Sequence, residues 1–96
     1  MQLSNDRPLG EVLREFLNTY NLERKLNETR LIHAWEKVVG PLVAKYTHKM
    51  YIRNRVLFVK VESPALRTEL SFSRSRIVRT LNEEAGATVI EDIVFN

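Results

Sequence analysis

Eight basic residues fall between positions 49 and 79: Lys49, Arg53, Arg55, Lys60, Arg67, Arg74, Arg76 and Arg79. Only Glu62 and Glu69 oppose them there, so the segment carries a net +6. Residues 80–96 hold four acids and no base. Charge segregated in this way has two readings. It builds a one-sided field that attracts a polyanion, or it forms a solvated surface whose Arg stems cover apolar edges. In the first reading the eight cations are phosphate contacts, which give affinity without sequence choice. Two aromatics lie among them. Tyr51 or Phe72 could stack a base or serve a partner contact. Phe72 falls beside Arg76 and away from the apolar side of its segment, so it is exposed unless a loop or the N-terminal segment covers it.

Other chemistry is poorly served. His33 and His48 stand fifteen residues apart in a chain without cysteine, which gives neither a thiolate site nor a metal-ligand spacing. His33 is set roughly opposite Trp35 on its helix and is expected to be exposed. Ser71, Ser73 and Ser75 have no base beside them in sequence. Glu83-Glu84 reads as a solvated helix end. There is no Gly-rich phosphate loop and no nucleophile elbow. The expectation is a protein that is not an enzyme, with no metal and no cofactor.

The 96 residues suggest one domain, 1–96, with residues 1–7 frayed. With 44% hydrophobic and 28% charged residues, such a chain buries a core of modest stability. No apolar run reaches the roughly 18 residues that span a bilayer, and the start "MQLSNDRPLG" lacks a signal-peptide pattern. A cytoplasmic location with no membrane partner is the expectation. The overall charge of +3 says less than its distribution.

These residues must be positioned by helices and a small sheet. In "DRPLGEVLREFLNTY", Asp6 can cap and Pro8 fits the first turn. Leu9, Val12, Leu13, Phe16, Leu17 and Tyr20 recur at three and four, as on an amphipathic helix that needs a partner. Asn21 should break it, and Asn27 should cap a second helix over "ETRLIHAWEKVV". There Leu31, Ile32, Trp35, Val38 and Val39 share a face, with Trp35 as the core anchor. Gly40 should stop this helix in the left-handed conformation, and Pro41 should start a short one, "PLVAKY". The Gly-Pro pair is thus a corner.

From His48 the period changes to two. "HKMYIRN" and "RVLFVKVES" predict a hairpin with Asn54 in its tight turn. Leu57, Val59 and Val61 face the core, and Phe58 lies on the other side with Lys60 and Glu62. Ser63 caps and Pro64 opens a long helix that Gly86 ends. On it Leu66, Leu70, Ile77 and Leu81 fall within about 60° of each other. Arg67 and Arg74 lie at the edge of that stripe, and Phe72, Arg76 and Arg79 on the opposite side. "TVIEDIVF" alternates as a third strand. The result is an α+β two-layer domain containing a split βαβ-like unit. The third strand pairs parallel with the first or antiparallel with the second.

The run "AWEKVVGPLVAKYTHKMYIRNRVLFVKVESPALRTELSFSRSRIVRTLNEEAG", followed by "VIEDIVF", resembles the DciA-like family of bacteria, long catalogued as a domain of unknown function. The pattern is Trp35-x-x-Val38-Val39-Gly40, Ala44, Thr47-His48, Leu57-x-Val59-x-Val61, Glu69-Leu70, Leu81-Asn82, Gly86 and Ile93. The N-terminal "LGEVLREFLNTYNLERKL" fits as well, so the resemblance covers about residues 9–95. It implies a K-homology-like fold. It also implies a role in loading or operating the replicative DNA helicase, with that helicase and single-stranded DNA, or RNA, as partners. Two departures bear on this. The G-x-x-G loop used by many nucleic-acid-binding K-homology domains has no counterpart, so binding is expected on the folded face. The sequence also ends at Asn96, directly after the last strand, without the basic C-terminal tail of longer family members. Oligomeric state is left open. The rivals to a helicase-associated nucleic-acid binder are a pure protein–protein adaptor and an RNA-binding module.

Overall fold

The computed structural model describes residues 8–96. Element order is α1 (Leu9–His33), α2 (Trp35–Val39), α3 (Pro41–Tyr46), β1 (Thr47–Arg53), β2 (Val56–Val61), α4 (Pro64–Phe72), α5 (Arg74–Ala85) and β3 (Asp92–Phe95). The fold is α+β: N-terminal helices, a hairpin, then helices and a third strand, as the sequence predicts. The helices form one layer on a three-stranded sheet of order β1-β2-β3.

The N-terminal half departs from expectation. Asn21 does not break α1 and Asn27 does not cap a helix; both lie inside one 25-residue helix. An asparagine in a helix costs only some tenths of a kcal/mol against a good helix former, so two of them do not stop it. The interruption comes at Ala34, whose N–H bonds back to the carbonyls of Arg30 and Leu31. Pro8 sits at the N-cap, one position before the helix. The Asp6 cap lies outside the described residues. Gly40 does stop α2 with a positive φ of 90°, but its ψ of 166° makes the backbone extended instead of left-handed helical. Pro41 then starts α3, so the corner stands.

The hairpin forms as expected. Antiparallel register pairs Arg53 with Val56, which leaves Asn54 and Arg55 as a two-residue loop. Both take positive φ, 51° and 64°, the combination that matches the strand twist. The third strand differs from both expected pairings: β3 runs parallel to β2 and adjacent to it. The unit is therefore an unsplit βαβ crossover. β2 is the most apolar strand, with Leu57, Val59 and Val61 fully buried, and it takes the central place. Cation-bearing β1 is left at an edge, where charge discourages further pairing. Strand β3 is short because Asn82 intercepts the chain before it. Its Oδ1 accepts from the N–H groups of Val89 and Ile90 at 2.9 and 3.1 Å, and its Nδ2 donates to the Ile90 carbonyl at 2.9 Å.

The long helix after Ser63 is two helices. At Ser73 the backbone N–H bonds to Leu70, three residues back, and the helix is interrupted. Ser63 caps α4 by accepting from the Leu66 N–H at 3.2 Å, and Gly86 closes α5 in the left-handed conformation, both as predicted. The core joins Leu31, Trp35, Leu70, Ile77, Leu81, Ala85 and Ile90 to the inner sheet residues Leu57, Val59, Val61 and Ile93. Trp35 is 3% exposed, and its Nε1–H donates to Thr47 Oγ1 at 3.0 Å. That hydroxyl donates in turn to the Val43 carbonyl at 2.8 Å. One indole thus ties α2, α3 and β1 together around the Gly40-Pro41 corner.

Candidate nucleic-acid interface

Side chains alternate along each strand, so the register decides which residues share the outer face. Leu57, Val59 and Ile93 point into the core. Their neighbours point away from the helices: Lys49, Tyr51 and Arg53 on β1, Val56, Phe58 and Lys60 on β2, Asp92 and Val94 on β3. Tyr51 pairs with Phe58 across the ladder. Their rings stack with centroids 4.9 Å apart and planes 10° from parallel. Lys49 Nζ lies 5.6 Å from the Tyr51 ring centroid. Tyr51 is 44% exposed, while Phe58 is half-buried at the centre of the sheet.

Lys49 and Lys60 face each other in the ladder. Like charges directly opposite are unfavourable in a sheet. Among the described residues neither forms an ion pair, and neither does Arg53. Of the acids near this face, Asp92 lies 3.6 Å from Arg74 Nε, and Glu62, just past β2, lies 3.4 Å from His48. The outer face is therefore an aromatic stack with three cations around it that no acid neutralises. An exposed π-surface beside free cations suits stacked bases and their phosphates.

The other sequence candidates go elsewhere. Arg55 pairs with Glu91 at 3.3 Å and donates to the Thr88 carbonyl at 3.2 Å. Arg67 donates to the Val61 carbonyl and is half-buried. Arg74 meets Asp92. Two of the four acids of the C-terminal segment thus return in space to arginines of the basic segment, and the charge segregated along the chain is partly remixed. Arg76 and Arg79 are exposed on α5, each beside a different surface groove on the helical side. Phe72 is 82% exposed at the end of α4, as its helical angle predicts. Sequence reasoning did not count Phe58 as a site residue. The signal was present: a two-residue loop at Asn54-Arg55 fixes Phe58 opposite Tyr51.

No catalytic arrangement emerges among the described residues. His48 Nδ1 lies 3.4 Å from a Glu62 carboxylate oxygen with both side chains exposed, and His33 is exposed. Among the described residues, no group of three His, Cys, Asp or Glu could hold a metal ion. The groove between α2, α3 and the α4–α5 turn, about 300 Å³, is lined by Val38, Val39, Val43, Leu66 and Leu70, with Glu69 at its rim. Ser73 and Thr80 also line it, and neither hydroxyl is hydrogen-bonded to Glu69. No described helix is long and apolar enough to cross a membrane.

A UPF0232 protein of Corynebacterium glutamicum (strain R) is 25% identical over 85 residues, which cover 88% of this chain and 48% of that protein. The chain thus spans about half the length of the curated relative it matches. The model of the family described as "Dna[CI] antecedent, DciA" matches residues 8–95, nearly every described residue from α1 to β3. The chain belongs to the DciA family.

Proposed function

We propose that this chain is a non-enzymatic DNA-replication accessory protein that holds single-stranded nucleic acid on the outer face of its sheet and works beside the replicative helicase of a bacterial cytoplasm. The observation that carries the nucleic-acid reading is the Tyr51–Phe58 stack with Lys49, Lys60 and Arg53 around it. Base stacking on aromatics is tolerant of sequence, and so are phosphate contacts, so binding is sequence-tolerant. The helicase as partner rests on the family alone. The test is a titration of labelled oligothymidylate at two salt concentrations. Three phosphate contacts to a single strand give a log–log salt slope of about −2. The double variant Lys49→Glu/Lys60→Glu should weaken binding and flatten that slope. Equal binding by the variant would remove the sheet face from the proposal. Matched RNA and DNA oligonucleotides test the RNA-binding alternative, because preference for RNA requires 2′-hydroxyl contacts.

A second reading is favoured by Phe72. An aromatic 82% exposed on a helix end suits a protein anchor better than a solvated position. Under this reading the chain is an adaptor, and Phe72→Ala weakens helicase binding while leaving oligonucleotide binding unchanged.

A further inference from the structure

Helix α1 carries its N-terminal half exposed, away from the core. Its 25 residues span about 37 Å at 1.5 Å per residue. The molecule measures 61 × 20 × 18 Å along its principal axes. The helix last meets the body where Tyr20, Glu23, Arg24 and Asn27 line a groove with the Asn54-Arg55 turn and residues 87–89. Only Leu31, near the C-terminal end, is buried. Leu9, Leu13, Phe16, Leu17 and Tyr20 are 61, 52, 66, 56 and 56% exposed.

This apolar stripe is not on the solvent side of the helix. At 100° per residue, Leu31 lies within about 20° of Tyr20 and about 40° of Leu9. The face that enters the core at Leu31 is the face that stands bare from Leu9 to Tyr20. The helix has run past its core with its apolar side unchanged. A contiguous exposed patch of this kind marks an interaction surface.

We infer that this overhang is a self-association surface, and that two copies pair through α1 in antiparallel orientation. Three features select a second copy as the occupant. First, the stripe is self-complementary about a two-fold axis between residues 14 and 15. Leu9 then meets Tyr20, Val12 meets Leu17 and Leu13 meets Phe16, each small side chain opposite a larger one, as an isologous contact requires. Second, the antiparallel arrangement sets the two bodies at opposite ends of the helix pair and opposes the helix dipoles. Third, the area suffices for a weak dimer. A large apolar side chain offers on the order of 150–200 Å², so the five leave roughly 500 Å² bare per chain and a pair buries about 1,000 Å², the lower bound of specific interfaces. The overhang holds Glu11, Glu15 and Arg14, so two copies repel little there.

The test is sedimentation equilibrium across roughly micromolar to millimolar protein. Mass should rise from monomer to dimer with concentration. Phe16→Glu should raise the dissociation constant by at least ~100-fold, because it buries two charges at the pair's centre. Its circular dichroism in the body's unfolding transition should match the parent, since Phe16 touches no core residue. A parent that stays monomeric throughout, or a dimer that Phe16→Glu leaves intact, overturns the inference. Orientation is read by mixing two single-cysteine variants, Leu13→Cys and Phe16→Cys, in this cysteine-free chain. Oxidation should yield the 13–16 cross-link. A predominance of 13–13 and 16–16 links overturns the antiparallel arrangement. None of these measurements depends on nucleic-acid binding.

Discussion

Tyr51 and Phe58 stack across the β1–β2 ladder at 4.9 Å, with nothing but register holding them opposite each other. A slip of one residue would turn one of them into the core and bring Leu57 or Val59 out. The buried side chains of β2 therefore hold the outer stack in place. Removing Tyr51 should cost function and spare the fold, because the residue is 44% exposed. Tyr51→Ala should weaken single-strand binding roughly 5- to 150-fold, the loss of one stacked base at about 1–3 kcal/mol. Fluorescence anisotropy with a labelled oligonucleotide reads this, and unchanged affinity would count against a stacking role.

Arg67 tests the opposite case. Its guanidinium donates to the Val61 carbonyl from a half-buried position at the end of β2. A hydrogen bond from a charged group is worth about 1.5–3 kcal/mol, and partial exposure puts Arg67 at the lower end. Arg67→Ala should lower the urea midpoint by the equivalent of ~1–2 kcal/mol while leaving oligonucleotide affinity within about twofold of the parent. A large loss of affinity without loss of stability would return Arg67 to the phosphate contacts.

Asn82 clamps the approach to β3 with three hydrogen bonds. Asn82→Ala leaves the N–H of fully buried Ile90 without its partner and should destabilise by about 2–3 kcal/mol. Asn82→Asp keeps both acceptor bonds but turns a carboxylate oxygen toward the Ile90 carbonyl, so it should recover only part of the alanine variant's loss. Denaturant melts of the two variants give the order, and equal costs would mean that the acceptor bonds contribute little.

Trp35 separates packing from hydrogen bonding. Trp35→Phe removes the donor to Thr47 and keeps most of the ring, and should cost about 1–2 kcal/mol. Trp35→Ala opens a large cavity and should cost about 3–5 kcal/mol. Thermal melts that show no difference between the two would contradict a core-anchor role.

Much of this was legible in the chain. Period-two alternation gave Leu57, Val59 and Val61 as the inner row, and Ser63-Pro64 and Gly86 marked helix ends by stereochemistry that depends on local sequence alone. What escaped depended on distant residues or on small energies. Asn21 and Asn27 read as breaks because asparagine favours caps, yet its cost inside a helix is too small to stop one. The pairing of β3 with β2 follows from where the crossover lands. Arg55 at positive φ is held by the Thr88 carbonyl and Glu91, more than thirty residues away. Glu91 pairs with Arg55 and Asp92 with Arg74, which no charge count along the chain reveals. Asn82, part of the family pattern in sequence, acquires its physical reason only in the clamp.

The most direct test of the sheet-face account is a ¹⁵N–¹H correlation spectrum of the chain titrated with oligothymidylate. The account predicts that the largest amide shifts fall on β1 and β2, at Lys49, Tyr51, Arg53, Phe58 and Lys60, with α5 little changed. Shifts confined to Phe72, Arg76 and Arg79, or none at saturating oligonucleotide, would contradict it.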